Sequence, residues 1–227
     1  MKMRLLLILL AVLPILTHAQ LGFQGSFRFT DAPKWDILDQ SNNRSSDVPQ
    51  AGWSAGMEYA FSLPNTRLEF IPEGNLTRYQ TDVLDLGALD AHFYSLFFNV
   101  RAYILDLKGD CQCPTFSKKG TTLTKGFYLE LSPGYTLILS RINTNTILYK
   151  GRSTNNSLAL NAGLDFGVSR KLTLSPYAGV RYFPKAIWPG LEESIANDPS
   201  IGDKVTNNHS PLTQAYIGMR LRFHHRK

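Results

Sequence analysis

Pro211-Leu212-Thr213-Gln214-Ala215-Tyr216-Ile217-Gly218-Met219-Arg220-Leu221-Arg222-Phe223, near the end of the 227-residue chain, carries a period of two. Ala215, Ile217, Met219, Leu221 and Phe223 share one face, and Gln214, Tyr216, Gly218, Arg220 and Arg222 share the other. Side chains alternate across a strand, so the stretch reads as one strand with an apolar wall and a wall of arginine, glycine and polar residues.

Seven earlier segments repeat the pattern. Gly22 to Thr30 sets Phe23, Gly25, Phe27 and Phe29 against Gln24, Ser26 and Arg28. Ala51 to Ser62 sets Trp53, Ala55, Met57, Tyr59 and Phe61 against Ser54, Gly56 and Glu58, and after Leu63-Pro64-Asn65 the residues Leu68 and Phe70 alternate with Arg67, Glu69 and Glu73. A fourth segment from about His92 to Leu105 opposes Tyr94, Leu96 and Phe98 to Ser95, Asn99 and Arg101. The fifth opposes Leu129, Leu131 and Tyr135 to Glu130, Ser132 and Gly134. The sixth opposes Leu158, Leu160 and Leu164 to Asn161, Gly163 and Asp165, and the seventh opposes Leu172, Leu174, Val180 and Tyr182 to Thr173, Ser175, Tyr177 and Arg181. With the last strand that makes eight.

Upstream, Lys2 and Arg4, the apolar run Leu5 to Leu16 and the small-residue site Thr17-His18-Ala19 read as an export signal, with residues 1–19 removed and 20–227 forming one domain. No later apolar run is long enough for a transmembrane helix, which excludes a helical membrane protein. The formal charge of +6 falls by two without Lys2 and Arg4 and is not clustered, so no nucleic-acid surface is expected.

Alternation alone fits a soluble ligand-binding barrel as well, with its apolar face inward. The makeup of the polar faces decides against it. Every lysine after the signal falls at a strand edge or in a connection, whereas a soluble barrel spreads lysine along its outer face. The polar faces instead hold Arg28, Arg67, Arg101, Arg181, Arg220 and Arg222 with Glu58, Glu69, Glu73, Glu130 and Asp165. Near-balanced charge among small residues suits a narrow lumen in which charges pair. The expected fold is therefore all-β: an eight-stranded antiparallel up-and-down transmembrane β-barrel. Its apolar faces meet lipid, with Phe23, Phe29, Trp53, Phe61, Phe127, Tyr135 and Tyr182 near strand ends as interfacial girdles.

Connection lengths agree in parity. Asp31 to Gln50, Arg141 to Asn156 and Phe183 to Ser210 read as long outer loops, and Leu63 to Asn65 and Ser169 to Lys171 as tight periplasmic turns. Asp106 to Lys125 is a long connection on the periplasmic side. Pro72, Pro133 and Pro176 are awkward, because proline cannot donate to a ladder and a closed barrel has no free edge; they are expected at bulges or strand ends.

The long periplasmic connection contains Gly109-Asp110-Cys111-Gln112-Cys113-Pro114. Cys111 and Cys113 read as a structural pin, with a redox pair, a bond to a partner and a soft-metal site as functional alternatives. Two cysteines at this spacing without a nearby histidine make a weak metal signal, and no cofactor or metal is expected. His92, His209, His224 and His225 raise a lipid-modifying enzyme as a second function, since His209-Ser210 shares a loop with Asp198 and Asp203; no spacing orders a base beside a nucleophile, and no catalytic residues are assigned. Trp188 reads as packing its loop on the barrel rim, or as a contact for a ligand.

Tyr216, Gly218, Leu221 and Phe223 reproduce the spacing of the terminal signal by which barrel-insertion machinery recognises bacterial outer-membrane barrels, although four residues follow Phe223. Ala19-Gln20, the Gly109 to Pro114 phrase followed by Thr115-Phe116-Ser117-Lys118, Leu129-Glu130-Leu131-Ser132-Pro133-Gly134-Tyr135 and Pro176-Tyr177-Ala178-Gly179-Val180-Arg181-Tyr182-Phe183 resemble the Bacteroidetes outer-membrane β-barrel family often labelled PorT-like. The resemblance implies an outer-membrane location, outer-membrane lipid as the surrounding partner, and no catalytic set. The expected role is structural, binding or accessory to the envelope or secretion, with residues 106–125 as the docking segment for an envelope or secretion protein.

Overall fold

In the computed structural model, which describes residues 20–39, 44–47, 51–63, 66–83, 87–105, 122–143, 148–169, 171–188 and 208–224, the alternating segments are strands that pair in chain order. They are β1 (Gln20–Asp31), β2 (Asp36–Asp39), β3 (Arg44–Asp47), β4 (Ala51–Ser62), β5 (Leu68–Val83), β6 (Gly87–Ala102), a short helix α1 (Thr122–Gly126), β7 (Phe127–Asn143), β8 (Leu148–Leu164), β9 (Phe166–Ser169), β10 (Leu172–Ile187) and β11 (His209–Phe223). β1, β4, β5, β6, β7, β8, β10 and β11 form a continuous antiparallel sheet that closes where β11 meets both β10 and β1. β9 prolongs β8 beyond Asp165 and pairs with the start of β10. β2 and β3 form a separate hairpin after β1. The fold is the closed eight-stranded barrel the sequence implies.

The polar wall faces inward. Gln24, Ser26, Arg28 and Thr30 of β1 are buried, while Phe23, Phe27 and Phe29 between them are 43%, 60% and 55% exposed. The same inversion runs around the barrel, with Leu96, Leu160 and Ile217 among its most exposed apolar side chains. Water would penalise such a continuous apolar exterior heavily, so the surface is one for lipid. The soluble-barrel reading, which needs the apolar face inside, is overturned.

One connection read as a long loop is largely strand, and the strands on either side of 84–86 run further than their alternation suggested. β5 and β6 are each 16 residues and leave only 84–86 between them, and β7 and β8 are each 17 residues and leave 144–147. Residues 141–156, taken as an outer loop, are mostly hairpin. A tilted strand crosses a bilayer in about ten residues, so these hairpins project roughly 15 Å beyond the membrane. Lys150 and Lys185, expected at edges or in connections, lie within β8 and β10. Tyr135, expected near a strand end, lies at the midpoint of β7. Phe23, Phe29, Trp53, Tyr135 and Tyr182 do face outward, each at least 43% exposed.

Pro72, Pro133 and Pro176 sit inside their strands, at neither the register shifts nor the ends of those strands. Pro72 faces Phe98 of β6, but on its other side the ladder passes from Glu58↔Glu73 directly to Phe61↔Phe70. Pro133 faces Leu158 of β8, and towards β6 pairing passes from Phe97↔Gly134 to Val100↔Leu131. The register is unchanged across both lapses. Each proline removes a donor from one neighbour only, and the ladder there skips two rungs. Pro176, opposite Met219, marks the corresponding lapse where β8 gives way to β9.

Candidate functional site

An eight-stranded barrel has an interior just wide enough for its own side chains. Five arginines and five carboxylates are buried in the lumen among the described residues: Arg28, Arg101, Arg181, Arg220 and Arg222 with Glu58, Glu69, Glu73, Glu130 and Asp165. Alternation brings nine of them inward from seven strands, Asp165 enters from the break between β8 and β9, and their formal charges cancel.

The end bearing Gln20, Phe223 and the tight turns holds direct ion pairs. Arg220 meets Glu130 through Nη1–Oε2 and Nη2–Oε1, each 2.7 Å, and its Nε lies 3.3 Å from Glu58. Arg101 donates to the same Glu130 from Nε and Nη2 at 3.0 and 2.8 Å. Arg222 links Glu58 and Glu69 at 2.9 Å each. Asp165 accepts from the hydroxyls of Tyr103 and Ser175 at 2.6 Å. Rings of Tyr128 and Tyr177 lie under Arg101 and Arg220, 3.9 and 4.3 Å from the guanidinium carbons. Fully paired, such a network repays the desolvation of its charges; with one partner removed it strands the other.

Higher in the lumen the charges are met differently. Glu73 accepts from the amides of Asn99 and Asn75 at 2.7 and 3.3 Å. Arg181 donates to Ser132 and Ser157 and stacks 3.5 Å over Phe97. Arg28 donates to Gln214 at 3.3 Å and lies over Tyr216. Above this tier the inward residues turn apolar: Tyr79, Phe93, Ile138, Phe183 and Leu212 form one cluster with Trp35 and Trp188. The two indoles are fully buried and meet edge to face with ring centres 5.3 Å apart. Backbone bonds fix them there, Trp35 to Ala32 and Trp188 to Asn208. The lumen is closed by charge below and by aromatic packing above.

Arg67, grouped by sequence with the lumen charges, lies at the lower rim. It stacks over Tyr103 and donates to the Lys125 carbonyl of α1 at 2.6 Å, while the Asp165 amide donates to the Gly126 carbonyl. The end of the 106–125 connection is thereby pinned to the barrel mouth. Cys111 and Cys113, the signal segment, Asp198, Asp203 and His225 lie outside the described residues.

His92, His209 and His224 fall at separate places in the barrel, on β6, at the start of β11 and just after its end. His92 Nε2 lies 3.3 Å from Asp90 on the outer wall. Ser210 Oγ donates to the Pro211 carbonyl and accepts from the Lys34 amide, and His209 Nδ1 has no partner. His224 Nε2 pairs with Thr173 Oγ1 at 2.7 Å. Of the terminal signal, Tyr216 is buried in the lumen and Phe223 is 44% exposed on the lipid side. The apolar plug was missed in the sequence, though Tyr79, Phe93, Phe183 and Leu212 stand in phase with the lumen face of their strands.

No protein-family model matches the chain, and no curated protein is similar to it in sequence. Solved structures are similar in architecture. Neisserial surface protein A is 13% identical with a TM-score of 0.46, covering 91% of this chain and 99% of that one. Ail of Yersinia pestis is 13% identical with a TM-score of 0.45 over 91% of this chain and 98% of its own. OprG of Pseudomonas aeruginosa is 11% identical with a TM-score of 0.42 over 92% and 97%. OprG is an outer membrane protein, and what this chain shares with the three is the fold, a closed antiparallel barrel.

Proposed function

We propose that this protein acts through its surfaces, as a structural, binding or envelope-accessory barrel, without conduction or catalysis. The observation that carries this reading is the double closure of the lumen: the Arg101–Glu130–Arg220 network below and the Trp35–Trp188 contact above. A hydrated solute has no path past a bidentate ion pair spanning so narrow a barrel. Reconstituted into a planar bilayer, the protein shows no sustained openings; stable nanosiemens conductance overturns the reading. A lipid-modifying activity is tested by deleting the gene, and an unchanged lipid profile is expected.

The accessory role is carried by the segment around residues 106–125, and kinship to PorT-like barrels is part of the same proposal. Its support is the pinning of α1 to the lower rim through Arg67 and Asp165, which holds one end of the cysteine-bearing connection at the periplasmic mouth. The terminal strand with Tyr216, Gly218, Leu221 and Phe223 serves recognition by the insertion machinery. Deletion of 106–121, and separately Cys111→Ser with Cys113→Ser, is expected to disturb the envelope while leaving the barrel's resistance to detergent intact. Retention of every parental envelope property sinks the docking role.

A further inference from the structure

The outer wall of the projecting hairpins carries a one-sided basic surface. Pairing runs Arg78↔His92↔Leu139↔Arg152 across β5, β6, β7 and β8, and one step further up Asp90↔Arg141↔Lys150. Arg141, Lys150 and Arg152 are exposed, and Arg78 and His92 are half-buried. Asp90 organises the edge of the patch, accepting from Arg78 Nε at 3.2 Å and lying 3.3 Å from His92 Nε2. The four cations and one carboxylate leave a surplus of positive charge.

Two features point to an occupant. Arg141 and Lys150 are direct cross-strand partners, and like charges directly opposite each other destabilise a sheet; Asp90 flanks Arg141 on its other side and is already shared with Arg78, which leaves the Lys150 and Arg152 side open to an external anion. The patch also begins where the lipid-facing belt ends: His92 follows Tyr94, Leu96 and Phe98 up the wall of β6, and Arg141 follows Leu137 and Leu139 up β7. On the far side of the barrel, Asp31, Thr213 and Tyr182 pair on the wall and Lys185 is a single exposed cation above them, without a basic cross-strand partner. An occupant therefore arrives sideways, from the plane of the membrane, at one meridian.

We propose that Arg78, Arg141, Lys150 and Arg152 bind the phosphate groups of a phosphorylated lipid headgroup in the outer leaflet. Guanidinium forks match phosphate oxygens in pairs, and Lys150 adds a point charge between Arg141 and Arg152. The proposal rests on the outer-membrane placement of the barrel and not on the lumen being closed.

The test uses the full barrel in vesicles of neutral phospholipid containing bis-phosphorylated lipid A, with retention of that lipid measured by native mass spectrometry. Arg141→Gln/Lys150→Gln/Arg152→Gln is expected to weaken retention on the order of a hundredfold, at roughly fivefold per basic side chain near an anionic surface. Lys34→Gln/Lys185→Gln, outside the patch, leaves it unchanged, and removing the lipid phosphates from the probe weakens the parent as the triple variant does. Both variants are first shown to change gel mobility on heating, which verifies closure. Undiminished retention by the triple variant overturns the proposal. Displacement of the lipid by millimolar inorganic phosphate, or tighter binding of a soluble sulfated glycan, overturns the lipid as the source of the anion.

Discussion

Arg220 of β11 and Glu130 of β7 are joined fork to fork across the lumen by two bonds of 2.7 Å, although no ladder connects their strands. The pair is a strut between opposite walls. Glu130 also receives Arg101, so one carboxylate holds two buried guanidiniums. Glu130→Gln leaves both with too few acceptors in a space water does not reach. The expected loss is about 3–5 kcal/mol in reversible urea unfolding from lipid vesicles. Replacing Glu130 and Arg220 together with Leu and Met recovers only the part owed to Arg220, since Arg101 still lacks its carboxylate. A Glu130→Gln variant as stable as the parent contradicts the network's role.

Trp35 and Trp188 close the other end from segments more than 150 positions apart, one after β1 and one after β10. Trp35→Ala and Trp188→Ala each empty a packed site, with losses of about 3–5 kcal/mol expected where the cluster cannot collapse. The double variant is expected to fall short of the sum by about 1 kcal/mol, the worth of an edge-to-face aromatic pair. Additive losses mean that the two rings do not stabilise each other. Because the ion pairs below remain, neither single variant conducts.

The barrel was legible because alternation is a local property, and Arg28, Arg101, Arg220 and Arg222 fall in phase with it. Orientation was legible because lysine is missing from the polar faces and their arginines and carboxylates nearly balance, as a narrow lumen of paired charges requires. Strand length was less so. In β7 and β8 the outward pattern turns from leucine to Arg141, Lys150 and Arg152 once the strands leave lipid, and polar residues there look like loop. Partner choice is set by distance through space: nothing local pairs Arg220 with Glu130, or brings Trp35 to Trp188.

Gly134 and Gly74 give a matched contrast. A Cβ at Gly134 would collide with the Phe97 ring on which Arg181 stacks, while a Cβ at Gly74 meets nothing within 4 Å. Gly134→Ala therefore displaces Phe97 and the guanidinium together, and a loss of about 1–3 kcal/mol is expected from overpacking. Gly74→Ala, facing lipid in an extended strand, is expected to be neutral or stabilising by up to about 1 kcal/mol, because alanine restricts the unfolded chain. Urea titrations of the two variants side by side check the sign, and equal losses would refute the packing described at Gly134.

Leu160 and Val168 measure the membrane itself. Both face outward, 60% and 61% exposed, but Leu160 lies between Leu131 and Val180 in the body of the wall, whereas Val168 belongs to β9 beside the lower turn. In lipid an arginine costs about 2–4 kcal/mol at the bilayer midplane and about 0–1 near an interface. Leu160→Arg is therefore expected to lose several times more stability than Val168→Arg, measured by urea unfolding from vesicles. On a water-facing wall both substitutions would be mild. The difference between the two sites reports depth, because it cancels whatever arginine does to the unfolded chain, and its absence would remove the bilayer from around β8.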